Sequence, residues 1–229
     1  MRKVLLSILI GVLILAISNP IAAKSKGKKI NEPVDKITFI HYKGGKVRVE
    51  GKGAKAQTCY KLLGVKWRNL PIDYVIQTGI PESAISLATA EWDRWTSANL
   101  FGNFATDSLA DFDEDSPDGK NEYSIGNYPE EGVIAVTNIW YTIRSKQIVE
   151  YDVLFDTDYL WGDATINPEV MDWQNIATHE TGHGLGLGDV YQTLCSEVTM
   201  YGYSDYGETK KRTLETPDIL GLQKLYGGL

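Results

Sequence analysis

The stretch His179-Glu180-Thr181-Gly182-His183, followed by Gly184, Gly186, Gly188 and Asp189, constrains this chain more than any other part of it. Asp172 is a good N-cap, and Trp173, Ile176 and Ala177 supply an apolar stripe. The spacing therefore predicts a helix running from Asp172 into the histidines. Residues i and i+4 share a helix face, which puts the two imidazoles where both can bind one zinc ion. Glu180 lies to the side of that face. Its carboxylate can reach a water at the metal without being a ligand, which is the place of a general base. The three glycines end the helix and let the chain turn sharply back, so that Asp189 arrives as a third ligand. The chain has three histidines, and the remaining one, His41, falls in a basic leader, so no downstream histidine completes the set. A carboxylate oxygen is an acceptable zinc ligand, and three protein ligands leave the open position of a catalytic site.

The N-terminal region reads differently. Arg2 and Lys3 precede an apolar run from Val4 to Ile17 and the small residues Ala22 and Ala23, the pattern of a secretory signal peptide over 1–23. The run falls short of the roughly 20 apolar residues that span a bilayer, so no stable membrane anchor is expected after cleavage. Residues 24–58 form a basic leader or short pro-segment, in which Ile37–Tyr42 and Lys46–Gly51 flank Gly44-Gly45 like the arms of a hairpin. Residues 59–229 are the main domain. A formal net charge of −7 argues against nucleic acid as a partner. In an oxidising compartment the two cysteines, Cys59 and Cys195, suggest one disulfide, the alternative being a Cys59 thiol on the metal.

Between these ends the texture is mixed. Lys66–Gly79 alternates enough to be a strand, and Pro81 and Glu82 open a helix with Ile85, Ala88, Trp92 and Trp95 on its apolar face. Residues 111–126 are acidic and turn-rich, reading as a surface loop. Asp111, Asp113, Asp115, Asp118, Asn121 and Glu122 supply oxygens there that suit either a solvated loop or calcium. Residues 132–143 and 147–156 are β-rich runs joined by Arg144-Ser145-Lys146, hence a hairpin. A last helix is expected with Thr216 as N-cap, Pro217 at the first position, and Ile219, Leu220, Leu222 and Leu225 for packing.

Residues His179 to Asp189 read HExxHxxGxxD, which resembles the metzincin signature, and the VTMYGY run around Met200 resembles the Met-turn of that clan. The closest resemblance is to the matrixins, over Lys66 to Tyr226. The resemblance implies an α+β fold: a twisted, mostly parallel five-stranded sheet, about three helices, and a small C-terminal subdomain across a cleft. It implies a secreted zinc endopeptidase, acting as a monomer on protein or peptide substrates. It also implies one catalytic zinc, structural calcium, and Met200 as an apolar floor beneath the metal. Tyr201 and Tyr203 become candidate pocket walls, and Ala135 and Val136 lie on the edge that an extended substrate would join as a strand. Asp189 stands where most matrixins have histidine. The Pro-Arg-Cys-Gly latency motif and the extra histidines of a second zinc site are absent. Two other readings stay open: a non-catalytic zinc-dependent peptide-binding module, and a metallohydrolase of a non-protein amide.

Overall fold

The computed structural model describes residues 32–44 and 58–229. The expected signal peptide and the second hairpin arm at 46–51 lie outside the described residues. In chain order the elements are β1 (Val34–Lys43), β2 (Lys61–Leu62), β3 (Ile72–Gln77), α1 (Glu82–Asp93), β4 (Phe101–Asp107), β5 (Glu122–Gly126), β6 (Val133–Thr142) and β7 (Ile148–Asp156). There follow β8 (Trp161–Gly162), β9 (Met171–Asp172), α2 (Trp173–Gly184), β10 (Leu187–Gly188), β11 (Tyr203–Ser204) and α3 (Thr216–Tyr226). No helix among the described residues is long and apolar enough to cross a membrane.

The main sheet runs β11-β1-β6-β7-β5-β3-β4. Strands β7, β5, β3 and β4 are mutually parallel, and β6 joins β7 as an antiparallel hairpin, giving the expected mostly parallel five-stranded sheet. Two further strands extend it to seven. Strand β1, in the stretch expected to be a leader, lies antiparallel on β6 from Val34↔Thr142 to Tyr42↔Val133, and β11 pairs with β1 in parallel through Tyr42↔Tyr203. The expected hairpin turn is present at Arg144-Ser145-Lys146, where Lys146 takes a positive φ of 54°.

One apolar core lies between the sheet and helices α1 and α2. Ile76, Ile85, Trp92, Tyr123, Ile139, Tyr151, Phe155, Met171, Ile176, Met200 and Leu222 all belong to it. Each such burial is worth about 1.5–3 kcal/mol, so the core sets the position of α2 against the sheet. Directional bonds refine that position. The Trp92 indole donates to Thr178 O (2.9 Å), and the Trp67 indole donates to Gly184 O (2.8 Å). Tyr123 Oη lies 2.8 Å from both Tyr151 Oη and Thr181 Oγ1. Trp95 lies beyond the end of α1 at Arg94 and is half-buried, its indole donating to Glu91 Oε1 at 3.0 Å.

Two local expectations need correction. Residues 122–126 are not surface loop but the buried parallel strand β5, because Tyr123 and Ser124 pack inside once β3 and β7 flank them. The N-cap of α3 is Glu215, not Thr216: its carboxylate accepts from the third-residue amide while Asp218 reaches back, a reciprocal capping box that Thr216 cannot make.

Candidate metal centre and active site

Helix α2 begins as its sequence dictates. Asp172 Oδ1 accepts from Asn175 N (2.8 Å), and the Arg212 guanidinium clasps the same carboxylate, fixing the first turn. Its other end stops at Gly184. Gly186 has a φ of 101°, and a Cβ there would stand 2.4 Å from Val65 O, so only glycine lets the chain reverse beside the helix. The reversed segment is then pinned: Val190 N donates to Met200 O (2.9 Å) and Gly202 N to Val190 O (3.0 Å). Asp189 is thereby carried back over the histidines.

The result is a buried triangle of ligand atoms. His179 Nε2 and His183 Nε2 are 3.2 Å apart, and Asp189 Oδ1 lies 3.2 Å and 3.4 Å from them. His179 Nδ1 bonds Thr199 O (2.7 Å) and His183 Nδ1 bonds Leu187 O (2.9 Å). A carbonyl only accepts, so each Nδ1 carries a proton, and in the neutral ring this leaves the Nε2 lone pair free to face the other. Asp189 Oδ1 is buried without a donor of its own. Three lone-pair atoms facing one another repel unless a cation sits among them, so the donor set fits a metal ion. Two imidazoles and a carboxylate suit zinc. Among the described residues this trio is one of three groups that could hold a metal.

Glu180 is wholly buried beside the triangle. Its Oε2 accepts from Thr137 Oγ1 at 2.6 Å, and its Oε1 lies 2.8 Å from His41 Nδ1. Burial raises its pKa. Met200 is fully buried beneath α2, where its sulfur would stand 2.3 Å from a Cβ at Gly182. The Met200 turn is held from α3: Asp218 accepts from Thr199 N (2.9 Å), Met200 N (3.1 Å) and Glu215 N (3.0 Å). Tyr201 and Tyr203 are half-buried and in ring contact 5.8 Å apart, with Tyr203 also against Tyr191, whose hydroxyl donates to Asp189 Oδ2. Ala135 and Val136 are buried under β1, paired with His41 and Ile40. Cys59 and Cys195 form a disulfide just ahead of the Met200 turn. Cys59 is thus removed from any role as a thiol at the metal.

Of the six calcium candidates, Asp113 and Asp118 come together, and their third partner is Glu150 of β7 rather than Asn121 or Glu122. Asp118 N donates to Asp113 Oδ2 (2.9 Å) and to Glu150 Oε1 (3.2 Å). Asn121 spends its side chain on the backbone of Asp73 and Tyr151, while Asp111 and Asp115 point outward and are exposed. Glu122 and Asp152, opposite each other on β5 and β7, each bury an oxygen without a partner. Burial pushes Glu122 up to about 7, Glu150 to about 8 and Asp152 to about 9.

His41, Thr137, Glu150, Asp152 and Asp218 are among the residues of these sites that escaped the sequence reading. Asp218 alone left a local signal, as the third residue of a capping box. The others reach their partners across long stretches of chain.

The matrixin family profile matches residues 120–227. Matrilysin of Rattus norvegicus is 38% identical over 76 residues, 33% of this chain and 27% of that protein. Metalloendoproteinase 1 of Glycine max is 38% identical over 79 residues, 32% of this chain and 24% of its own. Matrix metalloproteinase-19 of Mus musculus is 36% identical over 74 residues, 32% of this chain and 13% of its own. The matched region thus spans about a quarter or less of each relative. The sheet order, the glycine-broken helix and the buried histidine and aspartate trio agree with these matches, and over residues 120–227 the chain is similar to the matrixins.

Proposed function

We propose that this chain is a secreted zinc-dependent endopeptidase that cleaves peptide bonds by general-base attack of water. The convergence of His179 Nε2, His183 Nε2 and Asp189 Oδ1 beside the Glu180 carboxylate carries this reading. A zinc ion held by those three residues supplies a Lewis acid that polarises the scissile carbonyl and makes water more acidic. Glu180 takes the proton of the attacking water and passes it to the departing amine. Thr137 holds Glu180 Oε2, which leaves Oε1 as the working oxygen. The carbonyls of Thr199 and Leu187 fix the tautomer and aim of the two imidazoles, and Met200 closes the floor beneath them. An extended substrate would pair with β6 along Ala135 and Val136 in the place that β1 holds, with Tyr201 and Tyr203 on the opposite wall. Asp113, Asp118 and Glu150 take calcium, an ion suited to clustered carboxylate oxygens.

The test is incubation of zinc-loaded protein with a mixed peptide library read by mass spectrometry. It is run on the chain itself and on the strand-release variant described below. Internal cleavages abolished by a chelator are the expected result. Peptides that are retained but never cut by either protein would make it a binding module instead.

A further inference from the structure

The edge that an extended substrate would join is already taken by the chain's own strand β1. Its backbone is paired on both sides, to β6 from Val34 to Tyr42 and to β11 at Tyr42 and Lys43. Lys43 N donates to Gly132 O and Gly44 N to Ser204 O, both at 2.8 Å, so the strand is tied down at its exit. Strand side chains alternate faces, so residues 37, 39 and 41 point the same way. That way is toward α2. The Phe39 ring stacks on His183 with centroids 3.8 Å apart and planes 8° from parallel. The His41 ring lies 4.1 Å from that of His179 and is wholly buried. Its Nδ1 meets Glu180 Oε1, the oxygen that Thr137 leaves open. Its Nε2 is buried with no partner. His41, His179 and Glu180 each offer a ligand atom within 4.8 Å of the others.

We propose that residues Val34–Lys43 are a built-in inhibitor of the site, and that His41 is its key: Nε2 completes the metal's ligand set while Nδ1 occupies the general base. The inference rests on the endopeptidase reading for its consequence, but not for the ligation itself. A buried imidazole nitrogen without a donor or acceptor costs free energy, and a metal among the neighbouring ligands removes that cost. A fourth protein ligand closes the open position that distinguishes catalytic from structural zinc sites. With the position closed, Glu180 capped and the β6 edge filled, the chain as described holds no place for substrate.

The test uses the full chain loaded with Co²⁺, whose visible spectrum reports its ligands. His41→Gln keeps the side-chain volume and a donor for Glu180 but removes the strong ligand. The parent is expected to ignore acetohydroxamate, whereas His41→Gln changes the cobalt bands and binds acetohydroxamate at least about ten-fold more tightly. Trypsin cleavage at Lys36 and Lys43 gives a second reading. Metal loading should slow it at least about ten-fold in the parent and leave it unchanged in His41→Gln. The release variant Phe39→Ser/His41→Gln should cleave the peptide library at least about ten-fold faster than the parent. Identical cobalt spectra, acetohydroxamate affinities and trypsin protection in parent and His41→Gln would overturn the ligation. Measurable cleavage at equal rates by parent and release variant would overturn the inhibition while leaving the peptidase reading intact. A changed cobalt spectrum with no cleavage by either protein would uphold His41 as a ligand and sink the peptidase reading.

Discussion

The trio of His179, His183 and Asp189 and the acidic cluster around β5 and β7 both crowd like ligand atoms into buried space, yet they are held in opposite ways. In the trio, every second donor site is already used. Thr199 O and Leu187 O fix the imidazoles, and Tyr191 Oη takes the free oxygen of Asp189. In the acidic cluster, Glu122 Oε2 and Asp152 Oδ2 have no partner, and burial raises three carboxylates to about 7, 8 and 9. The first site has its ligand atoms aimed by hydrogen bonds within the protein. The second is tolerable either because it is protonated or because a cation comes to it.

That contrast breaks most visibly at Asp189. Asp189→Ala removes one of three preset ligands, so zinc affinity should fall by more than about a hundred-fold, read as metal retained after dialysis against a mild chelator. Retention equal to the parent would mean that the trio is not the zinc site. Glu180→Gln, made in the release variant, separates aiming from chemistry. It should retain zinc as firmly as its background while turnover drops about 10²–10⁴-fold, measured as peptide cleavage rate. Near-normal turnover would remove Glu180 from the mechanism.

The smallest effect belongs to the acidic cluster and depends on pH. Its three carboxylates titrate higher in the folded chain than free carboxylates do, so the folded state binds more protons across that window. The stability they contribute is full below about pH 4 and is lost as pH rises through about 7 to 9. Chelator-treated protein should therefore melt a few degrees lower near pH 9 than this cluster allows near pH 5, and calcium should restore the difference. Glu150→Gln should flatten both the pH dependence and the calcium response. A calcium-independent melting profile in the parent would leave the cluster as buried acids alone.

The hairpin of β6 and β7, the start of α2 at Asp172, its break at the glycines and the pairing of both cysteines were legible because each is local or a matter of counting. Periodicity, capping and residue inventory act over one element at a time. Glu180 and its neighbours were legible for the same reason, since i and i+4 on a helix fix relative placement without any fold. His41 was not. It sits in a basic stretch that reads as a leader, and it meets Glu180 across 139 residues only because β1 adds to β6. Thr137 likewise reaches Glu180 from a different layer, and Glu150 joins Asp113 and Asp118 from a strand that looks purely structural. The sequence by itself determined which side chains could bind a metal and which helix would carry them. Tertiary structure alone decided what else faces them, because strand pairing is set by the register of two distant segments, and a shift of one residue would turn His41 and Phe39 away from α2.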